Sequence, residues 1–130
     1  MSLPVKDIMI TDVVTLSTSQ SVQTAIEEML ANAIGSIIIV DEKVIDKPVG
    51  IVTPYDLLDY AMRDDDSPKL HKIKLNKFVK ELHTIKEDSS CAAAASLMLK
   101  YNIHHLVVLD DAGCLSGIVS SLDVAKLVKK

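Results

Sequence analysis

Gly50-Ile51-Val52-Thr53-Pro54-Tyr55-Asp56 returns as Gly117-Ile118-Val119-Ser120-Ser121-Leu122-Asp123, every shared position 67 residues further on. In each copy a glycine and two β-branched residues precede a hydroxyl residue, two spacers and an aspartate. The β-branched pair predicts the end of a buried strand, and Thr53 or Ser120 the N-cap of the helix that follows. Pro54 agrees, because proline is best tolerated at the first helical position. A hydroxyl N-cap with an acid three residues later is a capping box, which satisfies orphan helix N–H groups. The same geometry admits a second use. A helix mouth at a strand edge offers N–H groups and a positive dipole to a phosphate. An ionised carboxylate there is acceptor-only, so its two oxygens suit the two hydroxyls of a ribose. The duplication favours this second use.

Outward from the motif the whole pattern repeats. Pro4 to Met9 predicts one helical turn, and Val13 to Leu16 a first strand. Ser17, Thr18 and Ser19 form a loop that supplies a cap. Val22, Ala25, Ile26, Met29, Leu30 and Ala33 then make one apolar helical stripe, which Asn32 or Gly35 ends in a left-handed conformation. Ile37, Ile38, Ile39 and Val40 predict a strand covered on both faces. Glu42 to Pro48 is a turn, Val49 to Val52 the return strand, and Leu57, Leu58 and Ala61 the buried side of the next helix. The second half answers with Phe78-Val79, Leu82-His83-Thr84, Asp88 as a cap, and the stripe Cys91, Ala94, Ala95, Met98, Leu99. Leu106 to Asp110, a turn, and Leu115 to Val119 follow, and a last helix buries Val124, Ala125 and Val128. The charged run Asp64-Asp65-Asp66 before Pro68 reads as a solvated linker. The predicted division is repeat 1 over 1–63, linker over 64–75 and repeat 2 over 76–130. Each repeat is β-α-β-β-α.

With 130 residues, 48% of them hydrophobic, the chain can bury one good core. The net charge of −4, with no basic cluster beyond the closing Lys126 to Lys130, argues against a nucleic-acid surface. Arg63 is the only arginine, so a bidentate clamp on a polyphosphate is nearly excluded. Cys91 and Cys114 have neither metal-ligand nor redox spacing, and no metal site is expected. The apolar runs are too short to span a bilayer, and no leader-like head opens the chain, which reads as cytoplasmic. Phosphate-loop, dinucleotide-loop and nucleophile-elbow motifs are missing from the sequence. No catalytic residues are expected.

The repeat resembles the CBS domain, the module named after cystathionine β-synthase, and two in tandem resemble a CBS pair, or Bateman module. The resemblance rests on Asp7-Ile8-Met9, Val14-x-Leu16, Ala25-x-x-x-Met29, Gly35 to Asp41 and Gly50-Ile51-Val52-Thr53-x-x-Asp56. In the second repeat it rests on Thr84, Ala94-x-x-x-Met98, His104 to Asp110 and Gly117-Ile118-Val119-Ser120-x-x-Asp123. It implies an α/β fold of two repeats packed with pseudo-two-fold symmetry and a pair of clefts between them. It also implies an adenosine-containing ligand there, such as AMP, ADP, ATP, S-adenosylmethionine or methylthioadenosine. By the same resemblance Asp56 and Asp123 would hold ribose hydroxyls, and Thr53 and Ser120 would help at ribose or phosphate. Thr15 and Thr84 would lie where the base lodges, and Ile51, Val52, Ile118 and Val119 would line the pocket. His104-His105 is similar to the His-Arg pair of adenylate-sensing repeats in the AMP-activated protein kinase γ subunit, with histidine at the arginine position. Ser36 stands at the uncharged equivalent place in repeat 1. Only one of His104 and His105 can face a given cleft, because neighbouring strand residues point to opposite sides.

The implied function is a regulatory module that senses an adenosine ligand, needs no cofactor and acts on a separate regulated protein. The resemblance also implies a homodimer, a four-repeat disc held through the helices; the charge balance and short apolar runs point to no nucleic-acid partner and no membrane. The alternative is a structural dimerisation module whose clefts are vestigial.

Overall fold

The computed structural model describes residues 1–63 and 69–128. The Asp64–Pro68 charge run and the closing Lys129-Lys130 lie outside them, as do the side chains of Ala61 and Arg63. Strand β1 (Thr15–Ser17) runs parallel to β2 (Ile37–Val40), and β2 pairs antiparallel with β3 (Pro48–Val52). Helix α1 (Val22–Asn32) makes the parallel crossover, and α2 (Pro54–Arg63) leaves the end of β3. The second half repeats this order with β4 (Thr84–Lys86), α3 (Cys91–Tyr101), β5 (His105–Leu109), β6 (Leu115–Ser120) and α4 (Ser121–Ala125). The result is a mixed α/β fold with two three-stranded sheets, ordered β1-β2-β3 and β4-β5-β6.

Each sheet has a core face set by the alternation of strand side chains. On the first, Leu16, Ile37, Ile39 and Val52 pack with Val22, Ala25 and Met29 of α1. On the second, Ile85, Leu106, Val108 and Val119 pack with Ala94 and Met98 of α3 and Val124 of α4. Ile38 and Val107 point the other way and are buried too, as an uninterrupted β-branched run requires.

The chain divides into two compact units, one spanning Val14–Glu81 and the other joining Met1–Val13 to the chain from Leu82 on. The segment that precedes each β-α-β-β-α run therefore packs with the other run. In the second unit Val5 is fully buried, its N–H donates to the Ser89 carbonyl, and Ile10 bridges Ile118 at the edge of β6. In the first unit Ile73 and Leu75 are buried, the Ile73 carbonyl accepts from Val22 N–H, and Val79 bridges Gly50 at the edge of β3. Both edge contacts need a glycine. A Cβ at Gly50 would stand 2.8 Å from the Phe78 carbonyl oxygen, and one at Gly117 2.6 Å from that of Ile10.

Several local expectations are corrected. The N-caps of α1 and α3 are Ser21 and Ser90, not the Ser17–Ser19 run or Asp88; each accepts the N–H of the third residue on. Neither Asn32 nor Gly35 takes the left-handed position after α1. Ala33 does, at φ 51°, matched by Asn102 at φ 53° after α3. Leu30, Leu58, Leu99, Ala125 and Val128, expected on buried stripes, are exposed. The helical period identifies an apolar side but not what that side packs against.

Candidate functional site

At the end of β3 the Thr53 N–H and hydroxyl both donate to Asp56 Oδ2, at 2.9 and 3.0 Å, and Asp56 N–H donates back to Thr53 Oγ1 at 3.3 Å. At the end of β6 Ser120 and Asp123 make the same three bonds at 2.8, 2.8 and 3.2 Å. The capping box is thus realised in both copies. In each it occupies only Oδ2; among the described residues Oδ1 takes no hydrogen bond. An ionised carboxylate has about four acceptor positions, so a pair of donors can still be received. Both aspartates are half-buried. The Thr53 and Ser120 hydroxyl protons are committed to the box, which leaves these oxygens a spare acceptor position rather than a donor.

The helix mouths differ in one respect. Ser121 N–H donates to the His104 carbonyl at 2.8 Å, whereas Pro54 at the matching position has no N–H to give.

Beside each box the sheet presents a row of side chains opposite its core face. Thr15 is registered with Ile38 and Ile38 with Ile51; Thr84 is registered with Val107 and Val107 with Ile118. Partners across a ladder point the same way, so each row reads hydroxyl, aliphatic, aliphatic. Thr15 and Thr84 are exposed at its open end. His105 pairs with Ser120 and alternates with core-facing Leu106, which places it on the Thr84–Ile118 face. His104 precedes β5 and is exposed. Ser36 precedes β2 and is half-buried. Val52 and Val119 are fully buried and belong to the cores, so only their main-chain groups reach this face. The rows and boxes thus bring together Thr15, Ile51, Thr53 and Asp56 in one unit and Thr84, His105, Ile118, Ser120 and Asp123 in the other.

Two features were not anticipated from sequence. Lys69, Lys72, Lys74, Lys77 and Lys80, all exposed, form a basic stretch that periodicity conceals, because Ile73 and Leu75 between them are buried. In addition, an apolar groove of about 350 Å³ runs along α1 and α2, lined among others by Ile26, Leu30, Leu58, Tyr60 and Leu70. Its signal was the excess of leucines over what one stripe can bury. Among the described residues no cluster of metal-ligating side chains occurs, and no helix is long and apolar enough to cross a membrane. Cys91 is fully buried, which pushes its thiol pKa up and keeps it protonated.

The CBS domain family model matches residues 5–63 and 77–130. An uncharacterized protein of Methanopyrus kandleri is 31% identical over 126 residues, which are 97% of this chain but 63% of that protein, so the chain spans less than two thirds of it. Among solved structures, a CBS domain pair in complex with 5′-methylthioadenosine and S-adenosyl-L-methionine is 29% identical with a TM-score of 0.81, covering 97% of this chain and 99% of that one. A CBS domain protein from Pyrobaculum aerophilum complexed with AMP is 22% identical with a TM-score of 0.82, over 93% and 89% of the two chains, a likeness of fold.

Proposed function

The chain belongs to the CBS domain family, and on that premise we propose that it is a regulatory module that binds an adenosine-containing ligand at its strand-to-helix junctions. The observation that carries this is the doubled box, in which Oδ2 takes the box bonds and Oδ1 takes none among the described residues, set beside a hydroxyl–aliphatic–aliphatic strand row. A ribose diol donates two hydrogen bonds, which the open side of Asp56 or Asp123 can accept. Ile51 and Ile118 supply apolar surface for the base, and Thr15 and Thr84 a polar rim. The two sites differ at the strand entrance, where His105 stands opposite Ser120 and Ser36 holds the matching position in repeat 1. The pair solved with methylthioadenosine and S-adenosylmethionine supports this ligand class.

In this reading the ligand acts by binding, not by being transformed. Output passes to a separate protein or through oligomer shape. The proposed oligomer is a homodimer, supported by Leu30, Tyr55, Leu58 and Met62 on one unit and Leu99 and Leu122 on the other, all exposed apolar side chains on helices. We place the protein in the cytoplasm and divide its repeats at 1–63 and 76–130, with 64–75 as linker.

A ligand specific to the folded state raises stability by about 2.7 kcal/mol at a hundred times its Kd. Thermal unfolding with each adenosine ligand should therefore give a saturable rise in Tm for at least one. A purely structural module would melt at the same temperature with all of them.

A further inference from the structure

The stretch that leads into each β-α-β-β-α run is fastened at both ends by main-chain hydrogen bonds, and its two ends belong to different units. Ile10 N–H donates to the Ile118 carbonyl at 2.8 Å, and Ile118 N–H donates back to the Ile10 carbonyl at 3.0 Å. Four residues on, the Val14 carbonyl accepts Ile38 N–H at 3.1 Å, and Thr15 follows in register with Ile38. One link thus runs from Ile118, beside the Ser120–Asp123 box, to the row of Thr15, Ile38 and Ile51 in the other unit. The second link mirrors it. Val79 bridges Gly50, and Lys80 N–H donates to the Val49 carbonyl at 3.3 Å. The His83 carbonyl then accepts Val107 N–H at 3.3 Å, one residue before Thr84, which is in register with Val107.

Both links are short, and neither Thr11–Val14 nor Lys80–His83 forms secondary structure. The five steps from Ile10 to Thr15, or from Val79 to Thr84, reach at most roughly 17 Å, which leaves little slack. Ile10 and Val79 are each about half exposed, so main-chain bonds at a sheet edge hold them rather than a core. Contacts of that kind open at the low end of local stability. A ligand packed on Ile118 or Ile51 stiffens its strand edge and, along the link, the row in the other unit. The next ligand then meets a row already ordered and loses less conformational entropy on binding.

We propose that the two adenosine sites are coupled, filling one tightening the other, through the links 10–15 and 79–84. This rests on the sensor reading above and adds its regulation. The first link carries more of the coupling, because Ile10 and Ile118 exchange two bonds of 3.0 Å or less where Lys80 and Val49 share one of 3.3 Å.

Amide exchange of the full chain tests this, with whichever of AMP, ATP, S-adenosylmethionine and methylthioadenosine binds in calorimetry. Asp123→Asn weakens one site, so the ligand fills the Asp56 site first. Exchange at Ile10 and Ile118 in the other unit should then slow roughly fivefold, within the usual range of coupling between sites. Coupling is reciprocal, so Asp56→Asn should slow Ile38 when the ligand fills the Asp123 site. Two glycines inserted between Thr11 and Asp12, both exposed, slacken the first link while leaving its end bonds available. The slowing at Ile10 and Ile118 should then be lost, with the ligand still bound. Where the insertion does not fold, Thr11→Gly with Asp12→Gly loosens the link at native length and is read in the same way. Slowing confined to the occupied unit, or equal slowing in the slackened chain, overturns the coupling and leaves the sensor reading standing. A folded wild type that binds none of the ligands overturns both.

Discussion

Asp56 and Asp123 each hold two donors of their own box on a single oxygen, and the capping role and the proposed ligand role can be separated because they use different oxygens of the carboxylate. Asp56→Asn or Asp123→Asn should weaken ligand binding by roughly 1–3 kcal/mol, the scale of losing a charged hydrogen-bond partner. The accompanying loss of cap strength should stay near 1 kcal/mol in denaturant unfolding. A variant that loses only stability would assign the pair to capping alone. The box was legible in the sequence because its chemistry is local, spanning four residues. The face on which each histidine lies was not, since it depends on the pairing of β5 with β6, which places His105 opposite Ser120. Ala33 gives a second test. A β-carbon in the left-handed region costs roughly 1 kcal/mol, and Asn102 occupies the equivalent position without that full cost. Ala33→Gly should therefore stabilise the protein by about 0.5–1 kcal/mol by denaturant titration.

For the elements, order and type could be read from the sequence, and the depth of each helix face could not. Four β-branched residues in a row suit a strand with both faces covered, and Ile37–Val40 is one. Helices α1 and α3 carry wider apolar stripes than their cores accept: Met29 and Met98 are buried, while their neighbours Leu30 and Leu99 are not. Substitution should separate the two classes. Met98→Ala should cost about 2–5 kcal/mol through lost transfer energy and a cavity, whereas Leu99→Ala should shift unfolding of the monomer by less than about 0.5 kcal/mol. At the edge of β6, Gly117→Ala drives a Cβ toward backbone rather than a yielding side chain. It should destabilise the second unit by roughly 1–3 kcal/mol.

In the whole molecule, the exchange of leading segments is the feature that sequence reading could not reach. Duplication makes the stretch before each repeat resemble its counterpart, so Pro4–Ile10 and Lys74–Val79 suit either sheet by local pattern. Only the tertiary pairing, Ile10 on β6 and Val79 on β3, decides between them. It follows that Val5, though 80 residues before Ile85 in sequence, belongs to the same core. Val5→Ala should therefore destabilise the unit containing β4–β6, with amide exchange rising in β5 and β6 and not in β2 and β3.

The account depends most on the aspartates' unused oxygens meeting a sugar, and titration calorimetry of the full chain with AMP, ADP, ATP, S-adenosylmethionine and methylthioadenosine tests this most directly. The account predicts saturable heat with at least one of them, diminished in the Asp56→Asn or Asp123→Asn variant. A folded wild-type protein that binds none of the five would contradict it.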